Sequence, residues 1–234
     1  ALAWTRGLPL VDVHHIEAHV YAATMESPDA IEYPCIALVV SGGHTALYDA
    51  RSPLEMSLIV STLDDAAGEA FDKVARFLGL GYPGGPIIDR LSMDGDPEAV
   101  KLPRAMLDDG FDFSFSGLKT AVINAVRRQP GLETADVAAS FQAAVVEVLV
   151  AKARRAARDV GATGIAIGGG VAANSQLREA VLDAAVADGI QAFLPSRSMC
   201  TDTAAMVAAA GYHRLQSEGP TSLAAGAVPN LKLV

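Results

Sequence analysis

The stretch "CIALVVSGGHTALYDA", residues 35–50, sets the architecture. Two apolar runs flank Gly42-Gly43, a pattern that predicts two strands joined in a hairpin. Downstream, "LDDAAGEAFDKVARFLGL" (63–80) reads as an amphipathic helix with acidic residues near its start. "GYPGGP" (81–86) reads as a loop leading into a helix that begins near Ile87. "FSGLKTAVINAVRR" (115–128) and "TADVAASFQAAVVEVLVAKARRAARDVG" (134–161) predict two more helices, the second stopped by Gly161. "GIAIGGGVAANSQLREAVLDAAVADG" (164–189) reads as strand, glycine loop, helix. "CTDTAAMVAAAGYHRL" (200–215) closes with a helix that has Asp202 near its N-terminus. Upstream, "HHIEAHVYAATM" (14–25) predicts a helix with Ile16, Val20 and Ala23 as its apolar positions. The order is mixed α/β, with neither an internal repeat nor a low-complexity tract.

The chain has 234 residues, of which 51% are hydrophobic, enough for a sizeable core. Its net charge of −9 argues against a free-standing nucleic-acid binder. The basic clusters Arg127-Arg128 and "KARRAAR" (152–158) read best as solvated helix faces. No apolar run is expected to reach the ~18 residues of a membrane span, and no basic-then-apolar signal segment opens the chain. Cys35 and Cys200 are far apart and lack a CxxC partner, the thiol usage of a cytosolic protein. The chain opens at Ala1 in mid-pattern, so further residues are expected upstream.

Three glycine loops carry the first chemical signal. "SGGHT" (41–45) follows a strand, and its glycines let backbone N–H groups approach an anion, with Ser41, His44 and Thr45 adding polar contacts. "IGGGVAAN" (167–174) puts Asn174 at a helix start, where a base or ribose can lie against backbone. Gly84-Gly85 stands beside Asp72 and Asp89. Together the loops point to a nucleotide cleft, and none has P-loop or dinucleotide-fingerprint spacing.

His15 and His19 are four residues apart, so on a helix both imidazoles leave one face. A zinc protease needs H-E-x-x-H; here Glu17 comes one place late and leaves the opposite face, poorly placed as a base. Asp202 is the candidate third ligand, with Cys200 as a soft alternative. Two histidines and a carboxylate leave coordination positions open.

"HHIEAH", "VVSGGHTAL", "DDAAGEAFDKVARFLGLGYPGGP", "FSFSGLKTAV", "GGGVAANSQLR" and "CTDTAAMVA", in this order, resemble the bacterial TsaD proteins. That resemblance implies an actin-like ATPase (ASKHA) fold. It also implies transfer of a threonylcarbamoyl group from threonylcarbamoyl-AMP to N6 of adenosine 37 in tRNAs that read ANN codons. His15, His19 and Asp202 would hold one Fe2+ or Zn2+ ion. Val39, Val40, Ser41, Gly42 and Gly43, with Asp72, Gly85, Asp89 and Asn174, would line the substrate and nucleotide site. No residue is assigned as general base.

The resemblance further implies a division into residues 1–32 as a remnant of lobe one, 33–201 as lobe two, and 202–234 as a helix and tail returning to lobe one. The family's opening strands are expected upstream of Ala1, and this stretch alone is expected to be inactive. The implied partners are tRNA, a paralogous actin-like subunit (TsaB-type) and a small P-loop ATPase (TsaE-type), with no membrane and a cytoplasmic location. Two other readings stay open at this point: a metal-dependent glycoprotein endopeptidase, and a non-catalytic nucleotide-binding subunit.

Overall fold

The computed structural model describes residues 1–25, 31–228 and 231. In chain order the helices and strands are α1 (Leu2–Arg6), α2 (His15–Met25), β1 (Cys35–Val40), β2 (Thr45–Ser52), β3 (Glu55–Ser61), α3 (Ala67–Phe77), α4 (Gly84–Leu91), α5 (Ser116–Arg128), α6 (Thr134–Val160), β4 (Gly164–Gly168), α7 (Ser175–Asp188), β5 (Gln191–Phe193) and α8 (Ala204–Glu218). The strands form one sheet in the order β3-β2-β1-β4-β5. β1 pairs antiparallel with β2, and parallel with β4, which pairs parallel with β5. The expected hairpin is present: Val40 faces Thr45, and Ser41 N–H donates to the His44 carbonyl across the turn at 2.7 Å.

Every residue of β1 is buried. An unbroken apolar run is what a strand needs when helices cover both its faces. Ile36, Leu38 and Val40 turn to the larger core, built with Phe71, Phe141, Leu149 and Leu177 of α3, α6 and α7. Cys35, Ala37 and Val39 turn the other way, to Ile16, Val20 and Ala23 of α2. A third cluster joins Ala18, Tyr21 and Ala22 of α2 to Met206 and Ala210 of α8. Helix α2 therefore lies between sheet and α8, and residues 16–23 are all buried.

Three details differ from the sequence reading. The helix expected near Ile87 starts at Gly84, because the Asp72 carboxylate accepts Gly84 N–H at 2.7 Å and closes the first turn. Pro86 is tolerated there, since a first-turn residue has no helical N–H bond to lose. The cluster at 152–158 is not a solvated face. Lys152 is fully buried, and its Nζ donates to the carbonyls of Met106, Asp109 and Gly110. Arg155 binds the Leu107 and Gly110 carbonyls, while Arg154 forms a two-point pair with Asp188. Finally, α6 has the length and composition of a membrane-crossing helix; its most apolar window is 67% buried within the protein's own core.

Candidate metal centre

The parallel strands β1 and β4 end side by side, and a glycine loop leaves each one. In open α/β sheets, ligands bind at such carboxyl ends. Gly169 has φ +89°, and a side chain there would strike the Val40 backbone, so the two loops are in contact. A Cβ at Gly168 would come within 2.7 Å of the His19 carbonyl oxygen. These glycines let helix α2 settle against the end of β4 and bring His19 to the loops.

His15 and His19 leave one face of α2, as their spacing predicts, with ring centroids 4.8 Å apart. Asp202 precedes the first turn of α8, where Thr203 Oγ1 accepts Met206 N–H. Its Oδ1 lies 3.4 Å from His15 Nε2 and 3.2 Å from His19 Nε2. Donors on a tetrahedral ion with bonds near 2.0 Å stand about 3.3 Å apart, so both histidine–aspartate separations fit a bound ion. Among the described residues this is the one group of three or more such donors, all within 4.8 Å of one another. His19 is buried and His15 and Asp202 are exposed, which leaves the group open on one side. Burial, then the neighbouring His15, pushes the His19 imidazole below its ordinary pKa, and Asp202 opposes the shift. A neutral imidazole has no proton to shed before it ligates. Cys200 is buried and its Sγ donates to the Ser196 carbonyl.

The other expected residues fall into two groups. Ser41, Gly42 and Gly43 form the turn beyond β1, with Val39 and Val40 buried and only their backbone available. A Cβ at Gly42, Gly43 or Gly85 would meet nothing within 4 Å, so packing does not require glycine there and the space above is open. Ser41 Oγ accepts the N–H groups of Gly43 and His44, and its carbonyl accepts Gly68 N–H from the start of α3.

Asp72, Asp89 and Asn174, by contrast, are engaged within the protein. Asp72 holds the start of α4. Asp89 accepts Ser175 Oγ–H at 2.6 Å and Ser175 N–H, and also bonds Gln142. Asn174 caps α7 by accepting Leu177 N–H, and its Nδ2 donates to Gln142 Oε1. This network ties α4, α6 and α7 together beneath the Gly168–Gly170 loop.

His44, Thr45 and Glu17, each weighed in the sequence, have definite roles in the structure, whereas Asp64 was passed over. His44 lies close enough to His19 to act on its charge state. Thr45 Oγ1 accepts Ala67 N–H and fixes the start of α3 against the Ser41 turn. Asp64 accepts the hydroxyls of Ser114 and Ser116 and the N–H of Phe115, bonds that lower its pKa against the opposing effect of burial. The repeated Phe-Ser of "FSFS" was the available signal. Glu17 is buried, and burial raises its pKa; its nearest cation is Arg214 of α8, at 3.8 Å.

The strand order and two-sided helical cover place the chain among the actin-like ATPase-type folds. Full-length HypF in its phosphate- and nucleotide-bound form superposes with TM-score 0.72 at 14% identity, over 92% of this chain and 37% of HypF. Component A of the Acidaminococcus fermentans (R)-2-hydroxyglutaryl-CoA dehydratase gives 0.54 at 15% identity, over 86% of this chain and 69% of its own. At these identities the likeness concerns the fold.

The sequence narrows the class. The family profile of TsaD, tRNA N6-adenosine threonylcarbamoyltransferase, matches residues 1–209. The Thermotoga neapolitana enzyme of that name is 50% identical over 226 residues, 96% of this chain and 69% of the relative. The Geobacter sulfurreducens enzyme is 51% identical over 229 residues, 95% of this chain and 67% of the relative. The chain belongs to the tRNA N6-adenosine threonylcarbamoyltransferase family and spans about two thirds of the length of these relatives.

Proposed function

We propose that the chain holds one Fe2+ or Zn2+ ion through His15, His19 and Asp202. On this reading it transfers the threonylcarbamoyl group of threonylcarbamoyl-AMP to N6 of adenosine 37 in tRNAs that read ANN codons. The observation that carries the proposal is the meeting of this donor set with two glycine loops at the carboxyl ends of β1 and β4, in a chain of this family. The donor is a mixed anhydride; its bond to AMP breaks as the adenine nitrogen forms the new bond and loses a proton. The exocyclic amine is a weak nucleophile because its lone pair is delocalised into the ring, so positioning must supply much of the acceleration. When bound, the metal supplies a Lewis acid that orients and polarises the threonylcarbamoyl group.

The chain's own groups divide the remaining work. Ser41–Gly43 and Gly168–Gly170 flank the nucleotide with backbone, over open space at Gly42, Gly43 and Gly170. Asp72, Asp89 and Asn174 act by holding the helix starts around it rather than by reaching out. A tRNA substrate, TsaB-type and TsaE-type partners and a cytoplasmic location complete the proposal. With the 152–158 cluster bonded internally and the net charge at −9, partner subunits supply part of the electrostatic hold on tRNA. An endopeptidase would need a base beside the metal, whereas Glu17 faces Arg214.

The test supplies donor, metal, unmodified tRNA and the partner subunits to the purified protein and reads N6-threonylcarbamoyladenosine in the digested tRNA. The modified nucleoside should form with a full-length protein that carries this stretch and not with this stretch alone, and His19→Ala in the full-length protein should abolish it. Undiminished product from His19→Ala would overturn the assignment.

A further inference from the structure

Asp202 is the ligand with least support of its own. Its side chain is 74% exposed. The following residue, Thr203, is tied into the first turn of α8, so Asp202 stands wherever α8 places it. Helix α8 rests on α2 through small or pliant side chains, Ala18 and Ala22 against Met206 and Ala210, while Gly211 lies against Val13 in the segment just before α2. Such a seam buries apolar area but is non-directional, and it does little to stop one helix sliding or turning on the other.

Two polar rungs fix that register. Glu17 and Tyr21 lie one turn apart on the same stripe of α2. Opposite them, consecutive residues of α8 answer each in turn. Glu17 Oε2 lies 3.8 Å from Arg214 Nε, and Arg214 also reaches the Asp12 carbonyl at 3.4 Å. Tyr21 stacks on His213 at 5.1 Å and 23° between rings, and its hydroxyl donates to the Pro53 carbonyl. Glu17 is 4% exposed, and a buried carboxylate is costly without its counter-charge, which Arg214 supplies at 3.8 Å as a through-space attraction rather than a hydrogen bond. His15 and His19 meet Asp202 on one side of α2 while Glu17 grips α8 on another; α8 is thus held at its beginning and in its third turn.

We propose that Glu17 and Arg214 are positioning residues for the metal ligand Asp202, an inference that rests on the metal reading above. Neither touches the ion. They set where α8 lies, and through it where the third donor stands relative to the histidines.

The experiment measures Zn2+ affinity of the purified protein by competition with a chromophoric chelator, with Zn2+ as the only added ligand. Glu17→Gln and Arg214→Met should each raise the Kd about tenfold, as loss of outer support commonly does, with helical content retained. Arg214→Lys keeps the charge and should restore most of the affinity. The deciding arm combines Glu17→Gln with Asp202→Ala: with the third donor gone, Glu17→Gln should add nothing. Its full tenfold effect persisting in the Asp202→Ala background would show that Glu17 supports the histidines or the fold at large, and would overturn the proposal. So would unchanged affinity in both Glu17→Gln and Arg214→Met. Failure of the wild-type protein to bind Zn2+ in a His15-dependent way is a separate result, which overturns the metal reading and this inference with it.

Discussion

Replacing Gly168 by Ala should disturb the metal centre from beneath. The new Cβ would lie 2.7 Å from the His19 carbonyl oxygen and 3.1 Å from both its carbonyl carbon and its Cβ. All are atoms of the helix itself rather than the far end of a flexible side chain. The closest approach falls about 0.7 Å short of ordinary contact, so α2 must move off the sheet or β4 must bend. Neither yields freely: α2 is buried between the sheet and α8, and β4 is central, between β1 and β5. Overpacking of this kind costs about 1–3 kcal/mol. A displacement of that size at His19 also spoils a donor set whose His19–Asp202 separation is 3.2 Å, so Zn2+ affinity should fall about tenfold. Thermal unfolding of the metal-free protein reads the first effect and chelator competition the second. Gly42→Ala is the control: a Cβ there meets nothing within 4 Å, and stability should stay within about 0.5 kcal/mol. An unaltered melting temperature and Zn2+ affinity in Gly168→Ala would refute the reasoning.

Burial, with the Asp49 charge adding to it, pushes the Cys35 thiol up to about 12, so it should resist a disulfide reagent at pH 8 until the protein unfolds. Because the unfolded thiol ionises near pH 9 while the folded one keeps its proton, stability should fall as pH rises from 9 towards 12, by up to about 1.4 kcal/mol per pH unit, and Cys35→Ala should flatten that slope in denaturant titrations. Lys152→Met removes the Nζ donor from three carbonyls, leaving Gly110 with Arg155, Met106 with Asp109 N–H and the Asp109 carbonyl with none; we expect a loss of about 1–3 kcal/mol and faster amide exchange across 104–110, and an unchanged exchange pattern would show the clamp to be idle. Asn174→Ala should cost about 1 kcal/mol through the lost cap of α7, while Asn174→Ser keeps a cap; if Asn174→Ser loses nucleotide affinity as fully as Asn174→Ala with its stability intact, the side chain contacts ligand directly.

How legible each feature was in the sequence depended on the range of the interaction behind it. The unbroken apolar run of β1, the glycine turn after it and the four-residue histidine spacing are local signals, and each reappears as read. Asp202 could be picked as a carboxylate at a helix start, but its approach to the histidines spans most of the chain and is decided by α8 packing on α2. β3 was passed over because it is an edge strand, largely exposed and with an irregular register, so its side chains do not alternate cleanly. The start of α4 was misplaced because the group that closes its first turn, Asp72, lies twelve residues upstream. Asp89 and Asn174 stand near glycine pairs in the sequence, but no local pattern tells that Ser175, 86 residues beyond Asp89, takes up its carboxylate. Lys152 looked like surface because its partners are carbonyls, which leave no mark in a sequence.

The central claim is that this fold gathers His15, His19 and Asp202 into a metal site beside the glycine loops of β1 and β4. Crystals of the protein grown with Zn2+, with data collected on either side of the zinc absorption edge, test it most directly. The account predicts one anomalous peak per chain, about 2.0–2.2 Å from His15 Nε2, His19 Nε2 and an Asp202 carboxylate oxygen, with at least one position left open toward the loops. A fully occupied ion held elsewhere, with these three side chains free of it, would contradict the account.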